Sequence, residues 1–504
     1  MALYDFSSLR NGTDVRGIAT EGVAGEPVNL TAESVSRIAQ AFCLWLCKKL
    51  GKTSVTVAVG HDSRVSAPEL SRATVSGILN AGGSVRFTGL STTPSMFMLL
   101  KDEQELDCDG SIMLTASHLP FNRNGMKFFT QEGGLESGDV KEVLAIAEND
   151  MPIAKEKGVL VEKSYLDAYA SSLVEKVRKE TGESTPLLGK KILVDAGNGA
   201  GGFFVDKVLK PLGANTEGSQ FLEPDGTFPN HIPNPENAEA MESVCSAVKA
   251  ANADFGIIFD TDVDRAGAVD KSGEEINRNR LIALISAILL EEKKGTIVTD
   301  SVTSDGLKKF ITAKGGKHHR FKRGYKNVIN EAIRLNAAGE YTPLAIETSG
   351  HAALMENYFL DDGAYLITRL LIALAKAAKE GKSLTDQIAT MEMPLEAKEV
   401  RLRFKAGVDF KTLGANLIEE FAKRISALAY ATAADDNHEG FRANFDETHG
   451  DGWILTRMSL HEPIMPVNAE SNKQGGVKLI LRELYEFLKD YDFLDLTALE
   501  KALA

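Results

Sequence analysis

The sequence predicts an α/β protein built from several layered domains. Three features predict it. Short apolar runs of strand character end in polar or glycine-rich loops, helical patterns alternate with them, and 504 residues are too many for one hydrophobic core. The strand-loop units are VTVAVG (55–60) running into HDSR, SIMLT (111–115), KILVDAGNGAGG (191–202), FGIIFDTDVDR (255–265) and TIVTDSVTSDG (296–306). The segments ESVSRIAQAFCLWLCKKL (33–50), NRLIALISAILLEEKK (279–294) and GAYLITRLLIALAKAAKE (363–380) repeat apolar residues with helical period. Alternation of this kind builds parallel-type layers, whose ligands bind in the loops after the strands. Breaks in pattern at ESTPLLGKK (183–191), at 289–296 and at MPLEAKEVRLRFK (393–405) divide the chain into domains 1–185, 186–292, 293–396 and 397–504. The first three share one strand-loop-helix grammar, with no clean sequence period.

Composition narrows the function classes. A formal net charge of -14 argues against nucleic acid, because backbone phosphates need a basic footprint. It leaves room for a small phosphorylated ligand, which needs only a local cationic pocket. Cys43, Cys47, Cys108 and Cys245 form no CxxC pair, so a disulfide framework is not expected and a reducing compartment fits. The apolar burst from Leu281 to Leu290 is too short for a bilayer, which needs about 20 residues, and no signal peptide is visible. The expected setting is cytoplasmic, or the mature form of an organellar protein, with no membrane partner.

Five loops carry candidate chemistry. Asp260, Asp262 and Asp264 alternate just after the buried run GIIF, with Arg265 next. Alternate side chains of an extended turn can converge, and converged carboxylates repel unless a cation joins them. Hard Mg²⁺ takes such oxygen ligands. A calcium loop does not fit, because the helix-loop-helix frame and closing Glu are missing. TASHLPFNRNGMKFF (115–129) sets Ser117 and His118 after a strand, with Asn122, Arg123 and Lys127 nearby. A serine oxygen accepts and donates a phosphoryl group where cations neutralise the moving oxygens. On spacing alone a polar turn is an equal reading, and without GxSxG acyl hydrolysis has little support. NGTDVRG (11–17) offers Arg16, AIETSGH (345–351) offers Glu347, Ser349 and His351, and RMSLHEP (457–463) offers Arg457, Ser459 and His461. Sugar hydroxyls suit the middle set and a phosphate the last, and taken singly each also reads as an ordinary turn. GNGAGG (197–202) lacks both the GK[ST] and the dinucleotide frame and reads as a tight turn.

Taken together, in this order, the loops resemble those of the alpha-D-phosphohexomutase family nearly end to end. TASHLPFNRNGMK resembles the phosphoserine loop TASHNPxxxNGxK, DTDVDR the metal loop DGDxDR, and ETSGH the sugar-recognition turn ExSGH. GTDVRG, GHDSR (60–64), PDGTFPNHIPNPE (224–236) and RGYKNV (323–328) resemble further family segments. The chain departs from the pattern at Leu119, Thr261 and Val263. It departs most in the fourth-domain loop, where Leu460, His461 and Pro466 stand for the Gly, Thr and Arg of RxSGTEPxxR. Pro466 removes a guanidinium, and Leu460 removes backbone freedom.

The resemblance implies four domains around a central cleft, the first three mixed-sheet α/β and the fourth a smaller α+β domain. It implies reversible phosphoryl transfer between the 1- and 6-positions of a hexose phosphate, through a phosphoserine at Ser117 and a 1,6-bisphosphate intermediate. Glucose or mannose phosphate is the expected substrate. The alternatives are phosphoglucosamine mutase activity and a non-catalytic, regulatory sugar-phosphate binder. Catalytic roles fall on Ser117, His118, Lys127, Arg16, Arg64 and Arg265, with the cations holding transferring oxygens or adjusting nearby acid-base groups. One Mg²⁺ per chain falls to Ser117, Asp260, Asp262 and Asp264. Lys326, Glu347, Ser349, Arg457, Ser459 and His461 are the substrate-binding set. Glucose 1,6-bisphosphate or an equivalent is the expected activator, and the protein is expected to be a monomer or homodimer.

Overall fold

The computed structural model describes residues 4–105, 107–459 and 462–504. The chain forms two compact units. Residues up to Leu281 join Ser349–Asp386 in the first, and Ile282–Thr348 joins Gln387–Ala504 in the second.

The first unit holds an eight-stranded sheet. Its path runs Arg10–Asn11, Asp14–Ile18, Arg123–Thr130, Gly110–Leu114, Thr56–His61, Ser84–Leu90 and Leu160–Glu162, with Gly133–Gly134 paired to Arg123–Thr130. The strands Thr56–His61, Ser84–Leu90 and Gly110–Leu114 are parallel, while Arg123–Thr130 returns antiparallel, so the sheet is mixed. Helix Ala32–Leu50 starts on a Thr31–Ser34 capping box and stops at Gly51 in the left-handed region. It buries Val35, Ile38, Ala39, Phe42, Cys43 and Leu46, the stripe its period demands. Helix Ala67–Asn80 crosses it closely at Gly77, where a Cβ would lie 2.0 Å from the Ser36 carbonyl oxygen. A smaller mixed sheet orders Glu275–Ile276, Ala266–Asp270, Phe255–Phe259 and Ile192–Asp195. Phe259 pairs with Ala266, so the acidic loop closes a hairpin at the sheet's end.

In the second unit Thr296–Asp300 lies parallel to Lys317–Phe321 and to Leu344–Ile346. A six-stranded antiparallel sheet follows, in the order Ala431–Ala433, Phe441–Phe445, Gly452–Thr456, Ile464–Ser471, Glu396–Phe404 and Leu494–Asp495. Helices Phe410–Ser426 and Gly476–Leu488 bury apolar residues in its core. Buried guanidiniums join the two layers of this unit. Arg442 donates to the carbonyls of Ser301 (3.1 Å) and Thr303 (3.0 Å) and to Asp305 (2.8 Å), and Arg320 bridges Asp305 (2.7 Å) and Asp436 (2.9 Å). No described helix is long and apolar enough to cross a membrane. The four cysteines are free thiols, and burial pushes Cys43 up to about 12.

Arg442 also stacks 3.6 Å over the Trp453 ring, whose indole N–H donates to Glu470 at 3.0 Å. Burial, only partly offset by Arg442, pushes the Glu470 carboxyl up to about 7. A raised carboxyl favours the folded state at low pH, and that contribution fades as pH rises through the folded value. Glu470→Gln removes the effect. The stability difference is expected to move in the variant's favour by about 2 kcal/mol from about pH 5.5 to about pH 8.5. Urea unfolding across that range measures it, and parallel curves for both proteins would refute it.

Candidate active site

The strand Gly110–Leu114 delivers Ser117 to the head of the first unit's sheet. Ser117 is buried and sits at φ +51°, a left-handed conformation costly for a non-glycine residue. Its N–H donates to Thr115 Oγ1 at 2.9 Å, and Thr115 donates to Asp62 at 2.7 Å. Arg64 holds the loop from beneath. One guanidinium nitrogen donates to the carbonyls of Pro120 (2.7 Å) and Arg123 (2.8 Å), the other to those of Ser117 (2.5 Å) and Leu119 (2.6 Å). Asp62 balances its charge at 3.4 Å, and the Phe228 ring lies 5.3 Å from its guanidinium carbon. Both terminal nitrogens of Arg64 thus serve loop carbonyls.

The acidic loop meets this serine. Ser117 Oγ donates to Asp260 at 2.9 Å and lies 3.3 Å from His118 Nδ1. Thr93 fixes Asp262, its hydroxyl donating to the carboxylate at 2.5 Å and its N–H to the carbonyl at 2.9 Å. Lys127 donates to Asp264 and lies 3.3 Å from Asp262. Val263, between them, is buried at φ +67°, where a β-branched residue is strained. The GNGAGG turn backs the loop. Gly199 leaves room for Thr261, whose carbonyl oxygen would lie 2.7 Å from a Cβ there and accepts from Ala200 N–H.

Oxygens of Asp260, Asp262 and Asp264 lie within 4.8 Å of one another. Asp262 Oδ1 and Asp264 Oδ1 are buried without a hydrogen-bond partner among the described residues. Unpaired carboxylate oxygens facing a common centre fit a hard divalent cation. Without a cation the cluster splits its proton affinities. Burial, with Asp264 and Asp262 adjacent, drives Asp260 well above the usual carboxylate range. Burial opposes ionisation of Asp264 too, yet Lys127 foremost, then His351 and Arg265, hold it far below that range.

Further cations close the site. Arg16 donates to the Ala116 carbonyl at 2.9 Å and to Asp14 at 2.8 Å. Arg265 Nε donates to His351 Nε2 at 3.1 Å, and His351 Nδ1 lies 2.9 Å from Ser349 Oγ. Burial, with Arg265 and Arg16 nearby, pushes His118 down to about 2, so its ring is neutral.

The structure therefore brings Ser117, His118, Lys127, Arg16, Arg64, Arg265, the three aspartates and Ser349 into the first unit. Lys326, Glu347, Arg457 and Ser459 belong to the second. There Glu347 accepts from Gly324 N–H at 2.6 Å, just before the helix Tyr325–Ala337 that carries Lys326. Ser459 N–H donates to the Ile464 carbonyl at 3.0 Å, and its hydroxyl accepts from Glu462 N–H at 3.3 Å. Leu460 and His461 lie outside the described residues. Several residues in these networks were not singled out in the sequence. Thr93, Asp361 (3.5 Å from His351) and Asp300 (2.7 Å from the Thr348 hydroxyl) are three. One signal could have found Asp300, since it ends a buried strand as Asp195 does and as Asp260 nearly does.

Residues 8–152 match phosphoglucomutase/phosphomannomutase alpha/beta/alpha domain I, 163–273 match domain II, and 277–393 match domain III. The chain belongs to the phosphoglucomutase/phosphomannomutase family. A phosphoglucomutase of Neisseria gonorrhoeae is 31% identical over 473 residues, covering 93% of this chain and 94% of its own. A phosphoglucomutase/phosphomannomutase of Thermococcus kodakarensis is 30% identical, covering 97% and 98%. Among solved structures, a phosphoglucomutase/phosphomannomutase family protein from Burkholderia thailandensis superposes with a TM-score of 0.77 at 26% identity, covering 96% and 97% of the two chains. The Paramecium phosphoprotein parafusin shares the fold, with a TM-score of 0.73 at 16% identity over 96% and 95%. Membership places the chain among enzymes of phosphohexomutase-type intramolecular phosphoryl transfer.

Proposed function

We propose that this phosphoglucomutase/phosphomannomutase family member interconverts the 1- and 6-phosphates of glucose or mannose through a phosphoserine at Ser117. The observation that carries the reading is Ser117 Oγ, 2.9 Å from Asp260 at the edge of a carboxylate cluster with unpaired oxygens. Asp260, Asp262 and Asp264 would hold one Mg²⁺, with Ser117 beside it. When bound, Mg²⁺ supplies neutralisation of the charge on the transferring phosphoryl oxygens.

In the forward half-reaction a sugar hydroxyl attacks the phosphorus on Ser117. The bond from phosphorus to Ser117 Oγ breaks as the new one forms, the attacking hydroxyl gives up its proton and Ser117 Oγ regains one, which gives a 1,6-bisphosphate and a free serine. The second half-reaction returns the other phosphoryl group to Ser117. Lys127 steadies Asp262 and Asp264, and Arg64 keeps the serine loop in place. Neutral His118 takes part by hydrogen bonding rather than as a proton store, since burial depresses its basicity. Arg16 and Arg265 are the guanidiniums assigned to the moving oxygens. Lys326, Arg457, Ser459 and His461 are assigned to the phosphate that does not react, and Glu347 and Ser349 to ring hydroxyls. Glucose 1,6-bisphosphate would restore the phosphoserine whenever the intermediate escapes.

The test is a mutase assay with Mg²⁺ and catalytic glucose 1,6-bisphosphate, offering glucose, mannose and glucosamine phosphates in parallel. Turnover of glucose or mannose phosphate is expected, abolished by a chelator and restored by Mg²⁺. Turnover of glucosamine phosphate alone would move the substrate assignment. Silence on all three from a protein phosphorylated at Ser117 would favour a sugar-phosphate-binding role without catalysis, for which the altered loop at Leu460 to Pro466 is the motive.

A further inference from the structure

The loop carrying Arg457 lacks the second guanidinium that its motif leads one to expect, since Pro466 stands there. The second unit places another one close by. We propose that Arg323 is a second phosphate-binding guanidinium, which acts with Arg457 to hold the substrate's non-reacting phosphate. The inference rests on the assignment of Arg457 to that phosphate.

Three observations carry it. First, the Arg457 side chain makes no hydrogen bond among the described residues, and its Nε is buried. Glu439, Arg323, Glu399 and Asp300 are among the charged groups that act on it. Each of those carboxylates is engaged elsewhere. Glu439 accepts from the Ser301 hydroxyl (2.6 Å) and from Arg323 N–H (3.0 Å), Glu399 from Arg401 (2.7 Å), and Asp300 from the Thr348 hydroxyl (2.7 Å).

Second, Arg323 is held in position by its backbone. Its N–H is spent on Glu439, its carbonyl accepts from Asn327 at 2.7 Å, and the N–H of the next residue donates to Glu347 at 2.6 Å. Glu439 and Glu347 therefore tether the loop from two different strands or turns, so the Arg323 side chain starts from a fixed point.

Third, both arginines border one turn: Glu439 accepts from Arg323 N–H at 3.0 Å, and a Cβ on the next residue, Gly440, would lie 2.9 Å from Arg457 Cβ. Arg323 Nε lies 3.9 Å from Asp300 Oδ2, and Asp300 Oδ1 is buried with no hydrogen-bond partner among the described residues. Burial foremost, with Arg323 nearby, pulls Arg457 below the usual guanidinium range, while Glu439, Glu399 and Asp300 oppose that shift. Two like charges held close cost free energy until an anion arrives between them. A phosphate monoester, with two negative charges and three oxygens, accepts from two guanidinium forks at once. A neutral sugar offers no such relief. Arg323 thus supplies, from the 322–324 turn between a strand and the helix Tyr325–Ala337, the cation that Pro466 removes.

The test measures binding of inorganic phosphate and glucose 6-phosphate to the full chain by calorimetry, with steady-state kinetics alongside. Arg323→Gln is expected to raise both Kd values and the KM about tenfold, with kcat changed far less. Arg323→Lys is expected to recover part of the affinity, because charge returns without the fork. Matching unfolding midpoints show that the variants are folded. Unchanged Kd and KM in Arg323→Gln, with mutase turnover intact in the wild type, would overturn the role of Arg323 and leave the mutase reading standing. Arg323-dependent phosphate binding by a wild-type protein that turns over no hexose phosphate would do the reverse. A wild-type protein that binds neither probe would overturn both.

Discussion

Ser117→Ala is expected to give a folded protein that accepts no phosphoryl group and interconverts no hexose phosphate. The loss of turnover should reach at least ~10⁴-fold, because a covalent route without its nucleophile has no second path of comparable rate. The fold should survive. The N–H of residue 117 still donates to Thr115, the four carbonyls held by Arg64 are untouched, and alanine takes the same φ at a cost close to serine's. Only the hydroxyl's contacts to Asp260 and His118 vanish. The check is twofold: intact mass after incubation with glucose 1,6-bisphosphate, then a coupled mutase assay. The wild type should gain one phosphoryl group and the variant none. A variant that is phosphorylated, or that turns over, would show that another residue carries the group.

The second large effect concerns Arg64. Arg64→Ala is expected to cost about 3–5 kcal/mol of stability, since it leaves the buried Asp62 charge unpaired and several loop carbonyls without a donor. Arg64→Lys should fold better yet remain far less active than the wild type. A single ammonium cannot reach Ser117, Leu119, Pro120 and Arg123 together, so the strained serine turn relaxes. The loss should appear as a slower phosphorylation of Ser117 with little change in KM, because Arg64 is assigned no substrate contact. Urea unfolding gives the stability, and rapid-quench phosphorylation gives the rate. A lysine variant of wild-type rate would mean that the loop holds its shape without the fork.

These two residues show how legible the candidate site was. Ser117 could be picked from its motif because everything that marks it is local: a buried strand, a polar loop and a lysine ten residues on. Arg64 could be picked as a nearby cation, but not as a clamp. Its partners lie more than fifty residues away, and no spacing rule says whether a guanidinium will meet a ligand or a carbonyl. Thr93 is further still, 169 residues from the Asp262 it fixes.

The sequence by itself determined the α/β class, the apolar stripes of the helices and the acidic run at 260–264. Period and short spacing are properties of neighbouring residues, and neighbours are all that a sequence displays. Tertiary structure alone decided which carboxylate oxygens are left without a partner, that Val263 and Ser117 sit in left-handed conformations, and that Glu347 and Ser349, two residues apart, belong to different compact units. It also decided that Arg323 comes within 3.9 Å of the buried Asp300. Each of these depends on which distant segments share a low-dielectric interior, and burial there sets the strength of every charge and hydrogen bond.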